Sequence, residues 1–188
     1  VLERGRPVGF KDAMSMRSKS AFADGRTHAR LTAPVSRMLS IWASHAVPRK
    51  ATEELAWGLA FATEQLEGAG PRVVGPLRQR PPCLVFVDGA CEEKTSIGAV
   101  LVDSDGHSEC FGAVIDHDTV ASWKSRPDQL QVIGQARLTW PARLANRRVI
   151  YFLDNDSARI AAVRAYSPVL ASLKIVMGCT AWDFEHHS

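Results

Sequence analysis

Two stretches decide the reading of this chain: Leu84-Val-Phe-Val-Asp-Gly-Ala-Cys91 and Arg148-Val-Ile-Tyr-Phe-Leu-Asp-Asn-Asp-Ser157. Each holds an unbroken apolar run that leads into a carboxylate, Asp88 in the first and Asp154 in the second. A continuous apolar run, as opposed to an alternating one, is what a strand buried on both faces requires. In open α/β sheets, ligand sites lie beyond the carboxyl ends of the strands. Set as parallel neighbours about 4.8 Å apart, the two strands would bring Asp88 and Asp154 side by side. Two carboxylates so placed repel, and a divalent cation with a preference for oxygen, such as Mg²⁺, removes the repulsion. The plainer alternative is that each aspartate caps the turn or helix that follows it.

Outward from Asp88, Ser96–Val102 and Ser108–Ile115 read as two further strands. Asp103-Ser-Asp-Gly106 joins them as a turn whose glycine supplies positive φ. These two strands make a hairpin. Gln129–Ala145 has helical character but contains Pro141, which breaks or kinks it. Val149–Leu153 is the fourth strand. Asp156–Ala165 reads as a short helix, and Pro168 to about Asp183 as another with the proline in its first turn. The order is β-β-β-α-β-α-α, an α/β pattern with a mixed sheet.

Upstream the texture changes. Residues 1–67 read as a helical, basic segment, with helices predicted over 33–46 and 51–67. Val35, Met38, Leu39, Trp42 and Ala46 fall at helical spacing, as do Leu55, Leu59, Ala62 and Leu66 ahead of a stop at Gly68. Residues 68–83 are dense in proline and glycine and read as a linker, which leaves 84–188 as the sheet domain. Arg17, Lys19, Arg26, Arg30 and Arg37 offer a basic face in the helical segment. A net charge of +3 with a pI near 8.8 suits a nucleic-acid partner without demanding one. No apolar run approaches the ~20 residues of a membrane span, so no membrane partner is expected. The charged start, Val-Leu-Glu-Arg-Gly-Arg-Pro, is unlike a signal peptide, and opening on Val1 is expected of a fragment. The four cysteines, Cys83, Cys91, Cys110 and Cys179, form no CxxC pair, and a reduced, intracellular setting is expected.

The two aspartate strands, the hairpin through Gly98 and Gly112, and the stretch Gln131-Val-Ile-Gly-Gln-Ala136 resemble, in that ordered set, the ribonuclease H domain of retroelement reverse transcriptases. The resemblance covers roughly Pro82 to Ser188. The helical region before it is similar, more loosely, to the connection that precedes this domain in such polyproteins, which implies a parent polyprotein. The resemblance implies three antiparallel strands, a helix, and a fourth strand parallel to the first. It also implies a site of four carboxylates and two Mg²⁺ or Mn²⁺ ions that cleaves the RNA strand of an RNA–DNA hybrid. By position, Asp88 matches the first-strand aspartate and Asp154 the fourth-strand aspartate, as catalytic and metal-binding residues.

This sequence departs from that pattern in two places. The family's glutamate follows a stretch like Ile133-Gly-Gln-Ala136, where this chain has Arg137, and no glutamate occurs between Cys110 and Phe184. An arginine there would oppose Mg²⁺ and could pair with Asp88 or Asp154. Rescue of the missing ligand would fall to Asp128 or Gln135. The family also continues into a fifth strand and an aspartate-bearing helix, for which His186-His187-Ser188 and the nearby Asp183 and Glu185 offer no motif. The expectation is therefore a truncated ribonuclease H-like domain, with Mg²⁺ or Mn²⁺ held weakly or not at all and no cleavage.

Two other readings stand beside it. A non-catalytic remnant could bind nucleic acid through its basic face. Alternatively, Tyr151-Phe-Leu-Asp-Asn-Asp-Ser157 looks like the nucleophile loop of haloacid dehalogenase-type phosphatases, in which Asp154 would accept the phosphoryl group. That loop normally opens its domain, and here little chain follows it. Trp140 and Trp182 are expected to pack, and His186 and His187 to be solvated.

Overall fold

The computed structural model describes residues 7–24, 30–44, 49–50, 52–70, 81–91, 94–122 and 128–186. The chain divides into two compact units, Val1–Val73 and Val74–Ser188. Most of the predicted 68–83 linker lies outside the described residues.

In the first unit, β1 (Pro7–Val8) pairs antiparallel with β2 (Arg49–Lys50), and α1 (Phe10–Ala23), α2 (Ala33–Ala43) and α3 (Glu53–Gly68) pack together. Helix α3 starts where the Thr52 side chain accepts the Leu55 backbone N–H at 3.3 Å, with Glu53 and Glu54 in the first turn, the favourable end of the helix dipole. Leu39, Trp42 and Leu55 are buried, and the Trp42 indole donates to the Val8 carbonyl at 3.2 Å. At Gly58 a Cβ would stand 2.9 Å from Met38 Sδ, so the glycine lets α3 approach α2 closely. Helices α2 and α3 answer the two predicted from spacing. Helix α1 and the β1–β2 pair carry no strong apolar periodicity and were not individually predicted.

In the second unit, β3 (Cys83–Cys91), β4 (Thr95–Val102), β5 (Ser108–Ile115) and β6 (Val149–Phe152) form one sheet in the order β5-β4-β3-β6. β3 pairs antiparallel with β4 and parallel with β6, and β4 pairs antiparallel with β5. The hairpin turn between β4 and β5 has Gly106 at φ 84° and closes with the Gly106 N–H on the Asp103 carbonyl at 3.0 Å. Between β5 and β6 lie α4 (His117–Ser122), α5 (Asp128–Thr139) and α6 (Pro141–Leu144). α7 (Asp156–Arg164) and α8 (Leu170–Glu185) follow β6. Pro141 ends the first of two helices where one was expected. α5 stops at Thr139, and the proline opens α6, where a missing N–H is tolerated. Pro168 lies ahead of α8, with Val169 as the N-cap, and not within its first turn.

The core lies on one face of the sheet. Cys83, Val85 and Val87 of β3 and Ile97, Ala99 and Leu101 of β4 are buried there, with Leu130, Val132, Ile133 and Ala136 of α5 and Val176 and Met177 of α8. Here the sequence expectation needs correction. The apolar runs of β3 and β6 predicted burial on both faces, yet their alternate residues are exposed. Phe86 is 43% and Phe152 44% exposed, and the two rings stack at 4.5 Å between centroids. Among the described helices of this second unit, none covers that second face.

Candidate functional site at the ends of two parallel strands

The pairing of β3 with β6 runs from Cys83↔Val149 to Phe86↔Phe152. Continued two residues, that register sets Asp154 alongside Asp88. Asp88 lies within β3, three residues before its end, opposite Gly98 of β4, and is exposed. One of its carboxylate oxygens accepts the Gly89 N–H at 2.8 Å. Asp154 is also exposed and lies two residues beyond β6. It does not cap α7. The cap is Asn155, whose side chain accepts the Ala158 N–H at 3.0 Å.

Asp154 instead engages Gln129, in the first turn of α5. The Gln129 amide nitrogen donates to Asp154 Oδ1, and its Oε1 accepts the Asn155 backbone N–H at 3.2 Å. These two contacts fix the amide's orientation, because Oε1 faces a donor and Nε2 faces an acceptor. Gln129 is only 4% exposed, so both of its polar ends are satisfied where an unpaired amide would be destabilising. Sequence reasoning named Asp128 and Gln135 as possible substitutes and passed over Gln129. Gln135 instead bonds to Thr139 within its own helix at 3.4 Å. The signal available in the sequence was the start of α5: a first-turn polar residue on a helix packed over β3 faces the strand ends.

Arg137 requires a second correction. It does not pair with Asp88 or Asp154. Eight residues separate it from Gln129, about 12 Å along the helix axis. Its side chain, 9% exposed, grips Asp183 of α8 through Nε at 2.8 Å and Nη2 at 2.9 Å, while Nη1 donates to the Ile133 carbonyl at 3.1 Å. The guanidinium also lies over the Tyr151 ring, 4.9 Å from its centroid. Burial alone would lower its pKa, but the charge interaction with Cys179 and the hydrogen bonds it donates to Asp183 help to outweigh this and the pKa is raised. Burial likewise pushes the Tyr151 hydroxyl upward. Asp183, which no motif singled out, is thus the structural partner of Arg137.

Trp140 packs against Phe111 at 5.1 Å between centroids, as core, and His186 stacks on Trp182 at 4.0 Å. His187 lies outside the described residues.

These donors do not fit a two-ion centre. Among the described residues no group of three or more His, Cys, Asp or Glu side chains gathers at one place. Mg²⁺ demands near-octahedral oxygen ligands, whereas an N–H here points at one oxygen of Asp154. What the arrangement does is join the N-terminus of α5 to the β6–α7 junction through a neutral amide.

At the other end of β4, an open cleft of about 420 Å³ is lined by Asp103, Asp105, Arg143 and Arg147 among others. Arg147 donates to Asp103 at 2.6 Å, and this bond holds the Asp103 carboxyl down at about 2. Glu109, lowered chiefly by its hydrogen bond with His107, also receives Arg143 at 3.1 Å. The cations of this cleft are matched by carboxylates, which leaves little attraction for an anionic ligand.

No protein-family model and no curated protein matches this chain. Among solved structures it is similar to the foamy viral protease-reverse transcriptase dRH in complex with double-stranded DNA, at 15% identity and a TM-score of 0.38. The match covers 100% of this chain but 31% of that one, so the chain spans less than a third of its length.

Proposed function

We propose that this chain carries a ribonuclease H-like domain, of the kind found in retroelement reverse transcriptases, that does not cleave and whose remaining role is to bind nucleic acid. The observation that carries the reading is the spent third position. Arg137, where the resemblance places a glutamate, is buried on Asp183, and the polar side chain that does reach Asp154 is the neutral amide of Gln129. Among the described residues, Asp88 and Asp154 are then the carboxylates of the candidate site. They are enough to attract a single Mg²⁺ or Mn²⁺ weakly. Two-metal hydrolysis needs both ions roughly 4 Å apart and flanked by carboxylates.

Binding would draw on exposed cations. Lys11, Arg17 and Lys19 on α1 and Arg37 on α2 are exposed, in keeping with the chain's net charge of +3. Such contacts read the phosphate backbone and weaken steeply with salt. The test is a labelled RNA–DNA hybrid, followed for cleavage with Mn²⁺ and for fluorescence anisotropy across a salt series. We expect salt-sensitive binding and no cleavage above that of the Asp88→Asn variant. Cleavage that disappears in Asp88→Asn would refute the non-cleaving reading, and absence of binding at low salt would refute the nucleic-acid role.

A further inference from the structure

We propose that the open face of the β5-β4-β3-β6 sheet is a docking surface for a second copy of this chain, the two sheets stacked face to face with their strands running in opposite directions. The sequence of β3 and β6 asks for cover on both sides, and the helices of the second unit supply it on one. Strand registers place the uncovered side chains in rows. One row runs Cys110, Val100, Phe86, Phe152 from β5 to β6, all exposed. The adjacent row sets Val102 beside Leu84 and Leu84 beside Ile150. Clusters of exposed apolar side chains of this kind mark association surfaces more often than scattered single ones do.

The charge pattern selects the occupant. Exposed Arg148, whose carbonyl accepts the Cys83 N–H at 2.9 Å, flanks the apolar rows at one end of β6, and Asp88 and Asp154 flank them at the other. The patch is therefore a cation, two apolar rows and an anion, in that order along the strands. A twofold axis lying in the interface, perpendicular to the strands and midway between the apolar rows, exchanges the two ends. It lays Ile150 of each copy on Phe152 of the other and Arg148 of each copy over Asp154 of the other. Such an interface is isologous and closes at two copies. An axis along the strands would bring like-charged ends together. A polyanion would meet Asp88 and Asp154, so nucleic acid is a poor fit for this face. Four strands and two to three rows span roughly 19 Å by 20 Å, about 400 Å² a side. That is a small interface, so the association is weak and depends on concentration.

Sedimentation velocity over a range of roughly 5 to 500 µM tests the proposal, micromolar affinity being the scale of such contacts. The weight-average mass should rise from one chain toward two. Phe152→Asp should remain monomeric throughout, and Arg148→Asp should weaken association at least tenfold. Combining Arg148→Asp with Asp154→Arg should recover it. Circular dichroism confirms that each variant is folded. On the unaltered chain, amide exchange in Ile150–Phe152 should slow with concentration while that of α1 does not. A wild-type chain that stays monomeric across the range overturns the proposal and leaves the face to another partner or to none. So does association that survives Phe152→Asp, which would place the contact elsewhere.

Discussion

The two faces of the sheet are built from the same strands and nearly the same residue types, yet they do different work. On the covered face Val85, Leu101, Val132 and Met177 are fully buried. On the open face Phe86, Val100, Ile150 and Phe152 retain about two-fifths of their exposure. A strand's apolar content thus sets how much cover it can use, while packing sets how much it receives. A methylene removed from the covered face leaves a cavity, whereas one removed from the open face leaves solvent where solvent already was.

The comparison can be broken at three points. The largest effect belongs to Arg137, clamped between the covered side and α8. Arg137→Glu would set a second anion against Asp183 at a buried position. We expect a loss of about 3–5 kcal/mol, as for breaking a buried pair, read by urea unfolding. A loss below about 1 kcal/mol would mean that the pair is solvated. Next, Leu101→Ala should cost about 2–5 kcal/mol and Phe86→Ala, at low micromolar concentration, less than about 1 kcal/mol. Equal losses would erase the distinction between the faces. The smallest effect is at the rim. Asp103 titrates at about 2 in the folded chain because of its hydrogen bond from Arg147. Its unfolded value is about 3.9, so the stability it contributes is present above about pH 4 and is lost as pH falls toward 2. Acid melts should show this component in the wild type and lack it in Asp103→Asn.

The strand order was legible because two local signals agreed: uninterrupted apolar runs into Asp88 and Asp154, and an Asp-Ser-Asp-Gly turn at 103–106 that allows only a hairpin. Pro141 likewise announced the end of α5. One-sided burial was not legible, since composition records what a strand tolerates and not which neighbours arrive. The partner of Arg137 was hidden for a related reason. Arg137 and Asp183 lie 46 positions apart, and only the packing of α5 on α8 makes them neighbours. Gln129 escaped notice because the resemblance drew attention to the position after Ala136, eight residues and two turns away. Helix α4 escaped because six residues carry no usable periodicity.

The sheet's wiring has a consequence for how the chain assembles. Within the β3–β4 hairpin Cys91 finds Thr95 almost next door, but Cys83 must find Val149 across two strands and three helices. Closing a longer loop adds stability cost only logarithmically, about 0.6 kcal/mol for each doubling of length. The search itself slows far more steeply as contacts become less local. Residues inserted between β5 and α5 would therefore leave the melting temperature almost unchanged and show themselves in the refolding rate. The strand that brings Asp154 to Asp88 is the one whose arrival time the rest of the chain controls.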